Sequence, residues 1–150
     1  MTRSRRWRKA TLATFLGWVS GFAATSPFQI AEVLRNSGPN FQLLFSALGY
    51  GFAVWLLITL AGVAIVWACA VLPIALFVSE LWLLARSAWV IAGSICASLL
   101  AVSYKVHVWT HFYHDGIGLT NFWIYACFAT VFSGVTAYYY LRFLAHEQTA

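Results

Sequence analysis

Charge is what this chain has least of. Asp, Glu, Lys and Arg together make up 9% of its 150 residues, while apolar residues make up 62%. Soluble domains carry about 25% charged and about 45–50% apolar residues. So few polar groups do not cover a water-exposed surface, and the composition is that of an integral membrane protein. Cysteine is also sparse. Cys69, Cys96 and Cys127 are odd in number, contain no C-x-x-C, and each lies within an apolar stretch. They therefore define neither a disulfide framework nor a redox motif, and they read as small apolar fillers. Met1 is the only methionine, which argues against a copper-handling role. No C-x-x-C-H, Gly-rich phosphate loop, H-E-x-x-H or G-x-S-x-G is present, so attached haem and the common hydrolase and nucleotide motifs are missing.

The charges that do exist mark out the chain. Residues 10–31, 36–79, 87–104 and 116–141 contain no Asp, Glu, Lys or Arg. A helix crosses about 30 Å of hydrocarbon with about 20 apolar residues, and three of the four stretches fit one crossing each. The stretch 36–79 is long enough for a hairpin, but its middle, from Trp55 to Trp67, is the least turn-like part. The breakers Gly38-Pro39-Asn40, Gly49, Gly51 and Pro73 lie toward its ends. It reads as one long span over 50–78, with an interfacial flank before it and a kink at Pro73. The expectation is an all-α integral membrane protein in a single domain. Its four transmembrane helices (10–31, 50–78, 87–106 and 118–141) form an antiparallel up-down bundle, and Thr25–Asn40 forms the first outer loop.

Five of the nine cations precede residue 10: Arg3, Arg5, Arg6, Arg8 and Lys9. The net charge of +5 reads as a cytoplasmic anchor helped by anionic lipid, not as a nucleic-acid surface. With four spans and the N-terminus inside, seven cations lie inside (these five, Arg86 and Arg142) and two outside (Arg35 and Lys105). Five spans would split them six against three. The positive-inside rule thus favours four spans with both termini cytoplasmic, in a bacterial inner membrane. Trp82, Trp89, Trp109, Phe112, Tyr113, Trp123 and Tyr138–Tyr140 flank these boundaries as an aromatic belt would. The basic start, apolar stretch and small residues near Gly21-Phe22-Ala23 also resemble a secretory signal. Thr11, Thr14, Gly17 and Ser20 interrupt that stretch, and an uncleaved first span is the preferred reading.

Two constellations stand out. His107, His111, His114 and the adjoining Asp115 follow an i, i+4, i+7 spacing that puts three imidazoles on one helix face. Three His and a carboxylate form a candidate divalent-metal ligand set. A third ligand from one further turn strains a single small ion, so interfacial side chains without any cofactor are the plainer reading. The second is Gly17-x-x-x-Gly21 in the first span, a helix-packing pair that serves either the chain's own bundle, a protein partner or a homo-oligomer. No charge lies at mid-span, where ion-coupled transporters keep one. The expected function is a non-enzymatic subunit or scaffold of a membrane complex. The alternatives are a metal-binding membrane protein or enzyme using the His cluster, and a small oligomeric pore or permease.

Overall fold

The computed structural model of the chain describes residues 3–37, 41–113 and 118–148, and of these only Val78, Ser79 and Arg86 lie outside helices. The helices are α1 (Arg3–Ser37), α2 (Phe41–Val66), a π-helical turn (Trp67–Val71), α3 (Leu72–Phe77), α4 (Glu80–Ala85), α5 (Ser87–Tyr113) and α6 (Gly118–Gln148). No strand occurs among the described residues. Three segments are long and apolar enough to cross a membrane: Gly49–Phe77, Ser87–Val108 and Phe122–His146. The expected first span is not among them, because Thr11, Thr14, Ser20, Thr25, Ser26, Pro27 and Gln29 dilute its apolar character. Four spans are therefore not shown; three candidate spans and one long, more polar helix are.

The first outer loop is not where the sequence suggests. Helix α1 runs through Pro27 as far as Ser37. Proline has no N–H to give the carbonyl four residues back. Around this gap the neighbouring hydroxyls turn onto the backbone: Thr25 Oγ1 donates to the Gly21 carbonyl at 2.9 Å and Ser26 Oγ to that of Phe22 at 2.8 Å. Back-bonding of this kind accompanies a bend in a helix. Pro73 is absorbed differently. The Leu72 N–H bonds the Trp67 carbonyl five residues back, and this wider turn makes room for the ring and the missing donor just ahead of Pro73. The rod Phe41–Phe77 thus has no turn in its middle, and the chain breaks instead at Val78–Ser79. There Ser79 is extended and its side chain caps α4 by accepting from Trp82 N.

The long helices lie antiparallel to their neighbours in the order α2, α1, α6, α5, and Trp55 of α2 also reaches Tyr125 and Phe128 of α6. Helix α1 packs on α6, α2, the π turn and α3. Among the described residues, α5 packs only on α6 and α4. The closest seam is α1 on α6, and its cause is legible along α1. Its buried positions are Ala10, Ala13, Thr14, Gly17, Gly21 and Thr25, all small and spaced by three or four residues, so they form one face. A Cβ at Gly17 would collide with Thr136 Oγ1 and lie 2.7 Å from the Phe132 carbonyl oxygen. One at Gly21 would lie 3.1 Å from the Phe128 ring. Only glycine lets the two backbones approach so closely.

The α1–α2 seam is held by two tryptophan–threonine hydrogen bonds. Trp18 Nε1 donates to Thr59 Oγ1 at 3.2 Å, and Trp55 Nε1 donates to Thr25 Oγ1 at 3.3 Å. Each threonine hydroxyl in turn donates to a carbonyl on its own helix, Thr59 to Trp55 and Thr25 to Gly21. Every polar atom of the clasp is satisfied, as a water-poor interior requires. On the other side, Ile95 of α5 sits 3.4 Å from where a Gly134 Cβ would stand, and Ser94 Oγ reaches the Ser133 carbonyl at 3.4 Å.

Replacing Gly17 by Ala should lower the thermal unfolding midpoint in detergent, because overpacking of this kind costs about 1–3 kcal/mol. Gly93 has nothing within 4 Å of its Cβ position, so Gly93→Ala should leave the midpoint unchanged or raise it. Equal behaviour of the two variants in a differential scanning fluorimetry series would contradict this packing.

Candidate functional site

The polar groups that the fold brings together lie at one end of the helix array. This end contains the start of α1, the end of α3, α4, the start of α5 and the end of α6. Its apolar floor is a cluster of Ala10, Ala13, Ala75, Leu83, Tyr140, Leu141 and Leu144. Ala10, Ala75 and Leu144 are completely buried there, and Leu83 of α4 plugs the cluster.

Above this floor the basic start of α1 meets the ends of two antiparallel helices. Arg6 Nη2 donates to the Val78 carbonyl at 2.6 Å, one residue past α3. Three residues along the same face, Lys9 Nζ donates to the Phe143 carbonyl at 2.8 Å, near the end of α6. Helix C-termini carry unsatisfied carbonyls and a partial negative charge. Cations crowded at the N-terminus of their own helix are unfavourable; here Arg6 is placed against the C-terminal carbonyl of α3, and Lys9 bonds a carbonyl just short of the last turn of α6. The guanidinium also faces a carboxylate. Arg6 Nε stands 3.3 Å from Glu80 Oε1, an ion-pair distance with the N–H off the line needed for a hydrogen bond. The two side chains are only 12% and 24% exposed, so solvent screens the pair less than it would a surface bridge. Tyr140 is buried within electrostatic reach of both charges. The remaining described cations of this end, Arg5, Arg8, Arg86 and Arg142, are exposed, with the Arg86 guanidinium 5.2 Å from the centre of the Trp82 ring.

At the opposite end Lys105 Nζ of α5 lies 4.5 Å from the centre of the Tyr125 ring of α6. Trp55 of α2 approaches the same ring at 5.2 Å, so Tyr125 links three rods. Of the expected metal ligands, His107 is an exposed residue of α5, and His111 lies one turn further along the same helix. His114 and Asp115 fall outside the described residues. Among the described residues no three His, Cys, Asp or Glu side chains come together as a metal site. Gly17 and Gly21 face α6, which covers them. The free cysteines lie on three different rods, with Cys69 and Cys96 exposed and Cys127 half-buried.

Sequence reasoning missed the contact between Arg6, Val78 and Glu80. Glu80 is six residues from Arg86, too far for a helical pair, and its partner lies at the far end of the sequence. The usable signal was Ser79-Glu80, a cap with an acid in the first turn, set at the end that gathers most of the cations. Comparison of the chain with known protein families, with curated proteins and with solved structures gives no match.

Arg6 and Glu80 should respond unequally to substitution. Arg6→Ala removes the cap on α3 and strands Glu80, and should cost about 1.5–3 kcal/mol, the worth of a hydrogen bond to a charged group. Glu80→Gln keeps a polar side chain beside Arg6 and leaves the Arg6–Val78 bond in place, so it should cost less than Arg6→Ala. Thermal unfolding of both single variants and the double variant measures the difference; a costlier Glu80→Gln would contradict this assignment.

Proposed function

We propose that the chain is a four-span, non-enzymatic subunit or scaffold of a membrane complex, with both termini on the cytoplasmic side of a bacterial inner membrane. The fourth span in this reading is α1. At about 1.5 Å per residue its 35 residues extend about 52 Å, more than the hydrocarbon thickness, so 10–31 can lie in the bilayer while both ends reach water. Its modest hydropathy suits a helix packed on α2, α3 and α6, because the threonines it buries, Thr14 and Thr25, bond carbonyls of their own helix. The tight packing of Ala10, Ala13 and Gly17 argues for a retained helix over a cleaved signal. The sidedness rests on the seven cations, from Arg3 to Lys9 with Arg86 and Arg142, that belong to one end of the array.

The observation that carries the scaffold reading is the one-sided support of α5. This helix rests on α6 and α4, and the rest of its surface is open. The open surface includes Gly93, Ala97 and Ala101, at helical spacing, beside Trp89, Leu100 and Tyr104. Small residues at that spacing let another helix approach closely. Gly17 and Gly21 are already covered by α6, whereas Gly93, Ala97 and Ala101 are open to a protein partner or a further copy of the chain.

A photo-crosslinking residue at position 97, expressed in the native membrane, should give a discrete protein adduct that Gly93→Leu abolishes without lowering the unfolding midpoint. Adducts with lipid alone would sink the scaffold reading. Single-cysteine labelling at 87 and 36 in a cysteine-free background checks the topology. Position 87 should react only from the cytoplasmic side and 36 only from the other.

A further inference from the structure

We infer that the basic end of the helix array is a docking surface for anionic phospholipid headgroups, made by Arg5, Arg8, Arg86 and Arg142. The inference deepens the proposed function and rests on the part of it that sets this end at the membrane surface. It does not depend on which side of the membrane that surface faces.

Two cations of this end are already engaged. Arg6 is held by the Val78 carbonyl and Glu80, and Lys9 by the Phe143 carbonyl. Glu80, the acid in the first turn of α4, faces Arg6. Arg5, Arg8, Arg86 and Arg142 are all exposed and come from three elements that the core cluster draws together: the first turns of α1, the α4–α5 junction and the last turns of α6. Four exposed guanidiniums on one end form a positive surface whose complement is anionic.

The aromatic residues set its depth. Trp7, Trp82, Trp89 and Tyr138 are exposed at the same end, at 41%, 47%, 79% and 48%. Exposed tryptophan and tyrosine rings lodge at headgroup level. Arg86 lies over Trp82, which ties one guanidinium to that ring directly. The cations therefore sit at the depth of lipid phosphates. A planar guanidinium binds phosphate oxygens in a bidentate manner and holds its charge at any physiological pH. The committed occupant is a phospholipid with net negative charge, such as phosphatidylglycerol, because a zwitterionic headgroup brings its own ammonium to the same site.

The test uses the full chain in phosphatidylcholine vesicles that contain a small fraction of spin-labelled phosphatidylglycerol or spin-labelled phosphatidylcholine. The motionally restricted fraction of each label gives the relative affinity. The native chain should prefer phosphatidylglycerol by about fivefold or more, the factor expected of one cation near an anionic surface. The preference should fall with added salt. The variant R5Q/R8Q/R86Q/R142Q should lose it, while R35Q/K105Q at the other end should keep it. If the fourfold variant does not fold, R5Q/R8Q and R86Q/R142Q are measured separately, and each should retain part of the preference. No preference in the native chain, or an unchanged one in both paired variants, overturns the inference. Loss of the preference to inorganic phosphate at an ionic strength where sodium chloride leaves it intact also overturns it, because that marks a site for a soluble anion. The label is present in both leaflets, so an inverted topology would refute the sidedness given above and leave this result standing.

Discussion

The structure depends on one close approach, that of the first helix to the last. Small residues along one face of α1, centred on Gly17 and Gly21, let α6 come near enough for Phe128, Phe132 and Thr136 to pack against backbone. In a bilayer the hydrophobic effect does not draw helices together, since lipid tails are as apolar as leucine. Close van der Waals contact and interhelical hydrogen bonds must do so. The α1–α6 seam supplies the first, and the clasp of Trp18, Thr59, Trp55 and Thr25 on the other flank of α1 supplies the second. Helix α1 is the least apolar of the long rods, yet it packs on both α2 and α6. Its threonines are tolerated inside because each buried hydroxyl of the clasp both gives and accepts.

The same seam arranges the charges. Because α6 and the α2–α3 rod run opposite to α1, their C-terminal ends arrive beside its basic start. Arg6 and Lys9 then meet carbonyl groups where their own helix would repel them. The helix break at Val78–Ser79 belongs to this arrangement: it ends α3 where Arg6 can cap it, starts α4, and sets Leu83 into the core beneath. Arg5, Arg8, Arg86 and Arg142 are left at the surface, outside this network.

Much of this was legible in the sequence, and what was not has a physical reason. The helical class and the long uncharged segments follow from charge spacing, which the bilayer makes decisive. The segment 50–78 was readable as one rod because its middle lacks turn residues. The length of α1 was not: Thr25-Ser26-Pro27 reads as a loop signal, yet the helix runs through the proline, and those hydroxyls turn back onto its own carbonyls. The packing order of the helices was hidden too, since amino-acid pattern shows which face of a helix is small but not which neighbour takes it. Gly17 and Gly21 stood out by spacing, whereas the partner, α6, lies more than a hundred residues away. The pairing of Arg6 with Glu80 was invisible for the same reason. The His107 and His111 pair shares one helix, as its spacing implies.

The most direct test is a distance between the two ends of the chain. Cysteines at 9 and 143, in a background without the native cysteines, should be bridged within one chain by a short bis-maleimide linker, because Lys9 and Phe143 are in contact. A control pair at 9 and 107 should not be bridged, since these positions lie at opposite ends of the helix array. Mass spectrometry of the digested product distinguishes the two. Efficient bridging of 9 to 143 alone is the result predicted by an α1–α6 seam with its basic end capped. Bridging of 9 to 107, or none in fully labelled chains with both cysteines accessible, would contradict it.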